Sequence, residues 1–567
     1  MLVVAAVAVL AYVNAMPRTT VHDDVFFVPA RHQLTADSVV QIFREDTWAS
    51  TGSPAGTYRP LTILSIAVNG AMFGSNPVGY HATNVALHAV ASVLVLLLVV
   101  ELLGAAQVWP AVLAAAIFAV HPIHTEAVDS IFNRSEILST IGVVAGLWVL
   151  ARWHEARPVM AWTGAAVLYL FALLCRESGV TLPPLAAVMI WFQHSGKPWR
   201  ERLRRILPVA CLVLPLAEYA MLRQSALSNS VQAVAPALGV DTADDFVSRV
   251  LYSAASLREY ARMLVWPYPL RMSYEDFVGG ALVLTALVHA VLVSVAVFLR
   301  RRAPMAAFAI VFFYLALAPS TRVFTALALS VSAGDSPLLQ LKNSLLLAER
   351  VTYLPSVALA LGLAIALGAL VRRHGFRAAA ACAALPLVAG LLLTLERNRQ
   401  WHSAVTLFAA EVAAAPENTD GWRLYVSALS GADRKEEAAA ACDSQLERGG
   451  RSAQLFNNCG VVYDGLGRDE KAIASYRRAI EQGLVTVGHA NLGRTYARIG
   501  RMAEAEAEFA AAAESENDPA RRHYRNGLLL ARFHPERRNE ARREFEAALA
   551  LQPDFGAARQ ALSRLPR

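Results

Sequence analysis

The sequence predicts an all-α protein in two parts, a polytopic membrane helix bundle followed by a soluble helical solenoid. Of the 567 residues, 56% are hydrophobic and only 17% are charged, and the mean hydropathy is +0.39. These values are typical of a membrane protein. Long apolar runs recur up to about residue 395, and beyond them the chain becomes polar and alanine-rich. That second part repeats with a period of about 33–34 residues, which predicts stacked helix pairs.

The apolar runs predict about eleven membrane-spanning helices, because a span needs roughly 20 apolar residues. The first run, residues 1–16, lacks the basic start and the cleavage site of a signal peptide, so we expect it to be retained. Residues 17–80 are predicted to form a long loop with an interfacial helix that ends at Gly74. The other ten runs lie near residues 82–100, 108–120, 137–150, 160–174, 180–191, 206–221, 281–299, 305–317, 351–370 and 378–395.

Basic residues cluster at four places between the apolar runs. With eleven spans and a cytoplasmic start, all four clusters fall on the cytoplasmic side, as the positive-inside rule requires. We therefore predict an integral protein of the cytoplasmic (inner) membrane, with its repeats in the periplasm or an equivalent extracytoplasmic space. The clusters also account for the net charge of +7, which does not indicate nucleic acid. They are Arg152 with Arg157; Lys197, Arg200, Arg202, Arg204 and Arg205; Arg300, Arg301 and Arg302; and Arg372, Arg373 and Arg377.

Arginines and acidic residues gather in the segments predicted to lie outside the cytoplasm. Arginine binds phosphate through two parallel N–H donors, and ionisable groups near span ends usually line a cavity. A single pair of neighbouring Arg and Glu residues is best interpreted as a local ion pair. The presence of the whole set on one face of the membrane favours a functional site. The candidates for binding a donor phosphate are Arg134, Arg176 and Arg350, followed by Arg59 and Arg271.

Two adjacent carboxylates, Asp23 and Asp24, stand at the start of the first outer loop. Neighbouring carboxylates destabilise each other in a low dielectric, so a buried pair needs a cation, a proton or a strong hydrogen-bond partner. Such a pair at the mouth of a cavity can supply a general base. The alternative is a solvated helix cap. Because successive residues point in different directions, we expect only one of the two to face a substrate.

Further polar residues are predicted on the acceptor or sugar side of the same site. One subset, His121, His124 and Glu126, raises the alternative of a divalent metal. A structural corner is favoured over a metal, because His121-Pro122 breaks the helix and the rings need not converge. No metal or other cofactor is firmly implied. The full set is His121, His124, Glu126, Asp129, Glu177, Tyr274 and Tyr353.

The second part of the chain has the spacing of tetratricopeptide repeats. Small residues and aromatics recur in register, and such helix pairs stack into a curved surface that binds peptide or protein. Cys442 and Cys459 fall on facing helices of neighbouring repeats, where a disulfide is one alternative in an oxidising compartment. The copies are Gly460, Tyr463, Ala472, Tyr476 and Ala479; Gly493, Tyr496, Ala505, Phe509 and Ala512; Gly527, Ala541, Phe545, Ala548 and Pro553; and a degenerate one with Trp422, Leu424, Tyr425 and Ala439.

The motifs of the chain resemble those of the transmembrane and tetratricopeptide-repeat containing O-mannosyltransferases, which belong to the integral-membrane glycosyltransferases of the GT-C fold. Their order matches over nearly the whole chain. The sequence departs from the family pattern at Asn133, where Gly commonly precedes the arginine, and at Arg176, where Lys is common; it also has fewer repeats than the animal members. The motifs are D-D-V-F-F, Y-R-P-L-T, F-A-V-H-P-I-H-T-E-A-V, N-R-S-E-I-L, R-E-S-G-V-T, W-P-Y-P-L, A-E-R-V-T-Y-L-P-S and R-N-R-Q-W.

This resemblance implies an inverting enzyme that transfers a hexose, mannose in the family it resembles, from a polyprenyl-phosphate donor to Ser or Thr hydroxyls of exported proteins. It implies a general base in the first outer loop, with Asp23 preferred. Asp24 would then orient Asp23, or bind the acceptor or a cation. The implied partners are the lipid-linked donor, membrane lipid, and an acceptor protein or peptide on the repeats. The implied domains are residues 1–398, the glycosyltransferase, and residues 399–567, the extracytoplasmic repeats.

Other functions remain open at this point. One is a membrane-anchored scaffold or chaperone for exported proteins without catalysis, although a scaffold needs neither the acidic pair nor the arginines. Another is an oligosaccharide ligase. A transporter is less favoured, because transporters place charges near the membrane midplane, whereas here they lie at span ends.

Overall fold

In a computed structural model, the described residues are 1–16, 19–21, 23–28, 34–49, 56–234, 246–272, 274, 282–321, 347–448 and 452–565. Every regular element in these ranges is a helix, and they contain no strand. The predicted all-α class is therefore confirmed. The chain divides into two units, Met1–Leu407 and Phe408–Arg567. The functional domain boundary at 398/399 stays a prediction.

Seventeen described α-helices precede the boundary between the units. Seven helical segments are long and apolar enough to cross a membrane, and eight if residues 105–119 and 122–129, bent by 49°, count as one span. The helices are α1 Leu2–Ala11, α2 Asp24–Phe27, α3 Ala36–Arg44, α4 Pro60–Phe73, α5 Pro77–Leu103, α6 Val108–Ala119, α7 Thr125–Asp129, α8 Arg134–Trp153, α9 Pro158–Cys175, α10 Leu182–Gln193, α11 Trp199–Ile206, α12 Val213–Val234, α13 Phe246–Val265, α14 Leu282–Arg302, α15 Pro304–Leu317, α16 Ser356–His374 and α17 Phe376–Gln400.

Each of the eleven apolar runs coincides with a helix. Four of these helices, α1, α6, α10 and α15, have only 10, 12, 12 and 14 residues. A helix rises about 1.5 Å per residue, so each covers less than the roughly 30 Å of a hydrocarbon core. The count of eleven spans therefore stays a prediction.

The predicted helix that ends at Gly74 is present as α4. The predicted loop over the rest of residues 17–80 is wrong in part, because its described residues also include α2 and α3. These short helices pack in a small core of their own. The ring of Phe27 stacks on Phe132 with centroids 4.2 Å apart, and Trp48 meets both rings edge-on. This core attaches the start of the chain to the loop that precedes α8.

Close packing of α8 against α9 brings their polar ends together. A Cβ at Gly142 of α8 would lie 2.9 Å from the Leu168 carbonyl oxygen of α9, so only glycine permits this approach. We call the end where α8 begins and α9 ends the charged end. The end where α8 ends and α9 begins is the basic end. Because α8 has 20 residues, the two ends are about 30 Å apart.

The second unit consists of helix pairs, as the repeat pattern predicts. In three pairs a glycine of the first helix receives the aromatic ring of the second. A Cβ at Gly460 would lie 2.5 Å from Tyr476, and one at Gly527 would lie 2.6 Å from Phe545. After α18, Ala404–Ala414, which crosses the boundary, the helices are α19 Thr419–Gly431, α20 Lys435–Glu447, α21 Ala453–Gly465, α22 Asp469–Glu481, α23 Val485–Arg498, α24 Met502–Glu514, α25 Pro519–Phe533, α26 Arg538–Leu551 and α27 Gly556–Arg564.

A disulfide joins Cys442 of α20 to Cys459 of α21, with Cα atoms 5.6 Å apart. Both cysteines are buried. The sequence left this disulfide open as an alternative, and the structure contains it. The disulfide links the degenerate repeat to the first regular repeat.

Candidate functional site

Three of the predicted phosphate-binding arginines, Arg59, Arg176 and Arg350, come together at the charged end. We call them the arginine cluster. Each is paired with a different carboxylate: Arg59 Nη2 lies 3.0 Å from Glu177 Oε2, Arg176 Nε lies 2.9 Å from Glu136 Oε1, and Arg350 contacts Glu126. Burial, together with the nearby positive charges of Arg59 and Arg350, lowers the pKa of Arg176 to about 10. Burial makes the larger contribution to this lowering, and the contributions of Arg59 and Arg350 show that the three guanidinium groups lie close to one another.

The carboxylates fix the orientation of the guanidinium groups. Glu126 accepts the backbone N–H of Arg350 at 2.8 Å and contacts its guanidinium as well. The Glu126 side chain is 3% exposed, whereas that of Arg350 is 32% exposed. Arg176 also donates to Ser135 Oγ at 2.8 Å. Donors fixed in this way need little reorganisation when they meet an anion.

Glu177 was predicted on the sugar side and is instead the partner of Arg59. Burial alone would raise its pKa, but Arg59 and Arg176 lower it below the ordinary value. Its carboxylate therefore stays ionised and balances one arginine of the cluster.

Glu136 is a member of this site that the sequence prediction missed. Arg134 was selected from the same N-R-S-E segment, but positions 134 and 136 of a helix point about 200° apart. Glu136 faces Arg176, and Arg134 faces α4 and α5. A helical projection of α8 separates Glu136 from Arg134, but only the packing of α8 against α9 identifies Glu136 as the partner of Arg176.

Arg134 is fully buried and bonded to neutral groups. Its Nε donates to Asn84 Oδ1 at 2.6 Å, and its Nη2 donates to the Tyr80 carbonyl at 2.9 Å. Its Nη1 donates to the Ser65 carbonyl at 3.2 Å. These contacts join α4, α5 and α8, as a structural arginine does. Its assignment to the donor phosphate stays a prediction.

Asp24 is buried and anchors the loop before α8. It accepts the backbone N–H groups of Ile131 and Phe132, each at 2.9 Å, and the hydroxyl of Ser130 at 3.1 Å. Burial raises its pKa to about 6, and the three hydrogen bonds limit this rise. Its contacts make it a support for the loop.

Asp23 lies at the start of α2 and is half-buried. Burial lowers the pKa of Arg350, but the charges of Glu126 and, after it, Asp23 raise that pKa above its ordinary value. Asp23 therefore lies within electrostatic reach of the arginine cluster. The two neighbouring carboxylates are thus separated, Asp24 turned inward to the loop and Asp23 near Arg350.

Arg271 and Tyr274 support the turn that carries Arg350. The Arg271 guanidinium lies 4.9 Å from the Tyr274 ring centroid, and its backbone N–H donates to Tyr274 Oη at 2.9 Å. Tyr274 in turn donates to Glu349 Oε1 at 2.9 Å, and Arg397 pairs with the same carboxylate at 3.4 Å. Burial raises the pKa of Tyr274 well above its usual value, so the hydroxyl remains a donor.

The two candidate histidines and Tyr353 are buried and bonded to other groups. His121 Nε2 lies 3.0 Å from the Leu264 carbonyl, and His124 Nε2 lies 2.9 Å from Ser356 Oγ. Tyr353 Oη lies 2.6 Å from His88 Nδ1. Since Glu126 binds Arg350, it does not meet these rings in the three-ligand group that the metal alternative requires.

Asp129, at the end of α7, is 3% exposed. Neither of its carboxylate oxygens has a hydrogen-bond partner among the described residues. No described contact joins it to the arginine cluster, so its predicted substrate contact stays a prediction.

Apolar helices with this charged end, continued by helix pairs, define an integral membrane protein with a tetratricopeptide-repeat unit. The family model described as tetratricopeptide repeat matches residues 453–482 and 488–519. A solved structure titled "Crystal structure of YrrB: a TPR protein with an unusual peptide-binding site" covers 31% of this chain and 88% of its own at 22% identity, with a TM-score of 0.24.

Sequence relatives extend over both units. Protein O-mannosyl-transferase TMTC3 of Mus musculus is 26% identical over 97% of this chain and 60% of its own length, and the Homo sapiens protein of the same name is 24% identical over the same shares. Protein O-mannosyl-transferase Tmtc1 of Drosophila melanogaster is 36% identical over 31% of this chain and 21% of its own. Over 97% of its length the chain is thus similar to members of this transmembrane and tetratricopeptide-repeat containing family. It spans about three fifths of the length of the first two relatives.

Proposed function

We propose that this protein is a membrane glycosyltransferase that moves a hexose, mannose first among the candidates, from a polyprenyl-phosphate donor to a Ser or Thr hydroxyl of an exported protein. One observation carries the proposal: three arginines, each held by a carboxylate, come together at the charged end, and the charge of Asp23 acts on one of them, Arg350. The names of the relatives, protein O-mannosyl-transferases, support the same reaction class.

On the donor side, the arginine cluster stabilises the leaving group. As the bond between the sugar C1 and the phosphate oxygen breaks, negative charge grows on the polyprenyl phosphate. Each guanidinium has five N–H donors, of which its carboxylate uses only some. The remaining donors of Arg59, Arg176 and Arg350 bind the phosphate oxygens. Because the donors are already oriented, they favour the transition state over the ground state.

On the acceptor side, Asp23 acts as the general base. The hydroxyl oxygen forms the new bond to C1 from the face opposite the leaving phosphate, so the anomeric configuration inverts. Its proton passes to the Asp23 carboxylate. Asp24 holds the neighbouring backbone through the loop of residues 130–132 and thereby positions Asp23.

The decisive assay uses the full chain in detergent. Purified protein is incubated with radiolabelled polyprenyl-phosphate mannose and an extract of exported proteins, with Asp23→Asn as the inactive control. Label on Ser or Thr of an acceptor that depends on Asp23 is expected. If no acceptor is labelled with several donor sugars, the enzyme proposal fails and a scaffold or chaperone is favoured. Transfer only of a preassembled oligosaccharide would indicate a ligase.

We also propose that the repeats are extracytoplasmic and bind the acceptor. The Cys442–Cys459 disulfide supports this location, because structural disulfides persist in oxidising compartments. Alkaline phosphatase fused after Gln400 is expected to be active. If only a cytoplasmic reporter is active at this position, the predicted orientation is wrong, and an exported acceptor could not reach the repeats.

A further inference from the structure

A second group of ionisable side chains lies at the basic end, away from the arginine cluster. His154 follows α8 directly, Glu155 comes next, and His194 follows α10. Their potential ligand atoms all lie within 4.8 Å of one another. Glu155 Oε1 is 2.7 Å from His194 Nε2 and 3.9 Å from His154 Nε2. Three side chains from two helix ends thus converge on one point.

Hydrogen bonds set both imidazole rings in the same tautomer. Nδ1 of His154 lies 2.8 Å from the Leu150 carbonyl, and Nδ1 of His194 lies 2.8 Å from the Ile190 carbonyl. A carbonyl only accepts, so each Nδ1 donates its proton to its carbonyl, which leaves Nε2 as the ring atom that can bind a metal. Backbone carbonyls orient metal-binding histidines in this way.

The Nε2 atom of His154 lacks a partner among the described residues, which indicates that a ligand binds it. This nitrogen is buried, and it has no hydrogen-bond partner among the described residues. The His154 side chain is only 10% exposed. A buried acceptor without a partner is unfavourable, and an ion bound between the three side chains would satisfy it.

We propose that His154, Glu155 and His194 bind a divalent transition-metal ion of the Zn²⁺ type. Metal–ligand distances of about 2.0–2.1 Å in a tetrahedron put neighbouring ligand atoms about 3.3 Å apart. The observed 2.7 and 3.9 Å lie on either side of that value, and the Glu155 side chain, 55% exposed, is free to adjust. The fourth position is open to water. Two histidines and one carboxylate suit zinc and its first-row neighbours.

Arg205 is the competitor for this site. Its Nη1 contacts Glu155 and lies 3.2 Å from His194 Nε2, while its Nη2 lies 2.9 Å from Glu201 Oε1. A bound cation and the Nη1 group exclude each other by charge and by space. When the metal binds, the guanidinium retains Glu201 as its partner. Arg205 therefore sets the affinity of the site.

The metal would join the ends of α8 and α10, and its binding would release α11 from Glu155. The charged end lies at the opposite end of α8, where Glu136 is 18 residues from His154, about 27 Å along the helix. The site is thus a clamp on the bundle and takes no part in sugar transfer.

Metal binding is testable with the full chain, purified through a tag that lacks histidine. After chelator treatment, Zn²⁺ is titrated against a chromophoric chelator and the bound metal is counted by mass spectrometry. Wild type is expected to bind one Zn²⁺, and His154→Ala or His194→Ala to weaken that binding at least tenfold. Arg205→Gln should tighten it about tenfold. His374→Ala, at the end of α16, is the matched control and should bind as wild type does.

Two further measurements separate a metal site from a hydrogen-bonded cluster. Glu155→Gln changes an exposed residue and leaves folding intact, so weaker Zn²⁺ binding by this variant would not reflect misfolding. The visible spectrum of the Co²⁺ form reports nitrogen and oxygen ligands directly. If wild type binds no more metal than a His154→Ala, His194→Ala double variant, Arg205 is the resident partner and the proposal is wrong. If Arg205→Gln binds Zn²⁺ as wild type does, the proposed competition by Arg205 is wrong.

Discussion

The charged end contains two regions that use charge in opposite ways. In the arginine cluster, Arg59, Arg176 and Arg350 are each paired with a carboxylate and remain partly exposed, at 13%, 13% and 32%. In the region beside it, Arg134 and Asp24 are both fully buried and bonded to uncharged groups. We call this second region the buried support.

The comparison shows that the partner of a charged side chain, more than its place in the chain, separates structural from functional groups. Asp23 and Asp24 are adjacent, yet one lies near Arg350 and the other holds a loop. Arg134 and Glu136 share one helix turn, yet they belong to different regions. Variants in the cluster should therefore impair transfer without unfolding the protein, and variants in the support should do the reverse.

The largest effect is expected for Asp23→Asn. This variant keeps the shape of the side chain but cannot accept a proton, so transfer should fall about 100- to 10,000-fold. The melting temperature in detergent and the binding of donor lipid should stay as in wild type. If Asp23→Asn turns over normally while Asp24→Asn or Glu126→Gln is inactive, the assignment of the base is wrong.

Arg176 should show the next largest effect. Arg176→Ala removes an oriented donor from the leaving phosphate, so the rate of transfer should fall about 100- to 1,000-fold. Arg176→Lys keeps the positive charge and should be tolerated. The rates at saturating donor measure both variants. Equal activity of Ala, Lys and wild type would exclude Arg176 from the site.

Arg134→Met tests the buried support. It leaves Asn84 and two carbonyls without their donor in a buried place, so unfolding should become easier by about 3–5 kcal/mol. The yield of folded protein and the midpoint of thermal unfolding report this loss. The folded fraction should retain its rate of transfer per molecule. A well-folded but inactive Arg134→Met protein would move Arg134 into the arginine cluster.

The smallest effect is the pH dependence due to Asp24. Burial raises its pKa to about 6 from 3.8, so the folded protein keeps a proton that the unfolded chain has lost. Stability therefore decreases as the pH rises from about 4 to about 6, by up to about 3 kcal/mol in total, and changes no further above that range. Thermal unfolding at pH 4 and pH 7, compared between wild type and Asp24→Asn, measures this term. If the stability difference between pH 4 and pH 7 is the same in Asp24→Asn as in wild type, the assignment of this pH dependence to the buried Asp24 carboxyl is wrong.

Much of the fold followed from local patterns. Each of the eleven apolar runs contains a helix, and the pairing of Gly460 with Tyr476 and of Gly527 with Phe545 reproduces the repeat. Such features depend on neighbours within one or two helices, where hydropathy and period are informative. The helices α2 and α3 were missed because their apolar residues pack in one core with Phe132, which is distant in sequence.

The sequence by itself determined the apolar helices of the bundle, the repeats, the resemblance to a family, and the gathering of arginines and acids at one end. Only the tertiary structure decided the partners: Glu136 with Arg176, Glu126 with Arg350, and Asp24 with the backbone of residues 131 and 132. It also brought His154 and Glu155 to His194 across 39 residues. The physical reason is that a charge can be matched by any opposite charge or donor within a few ångströms, and that distance depends on how helices far apart in sequence pack together.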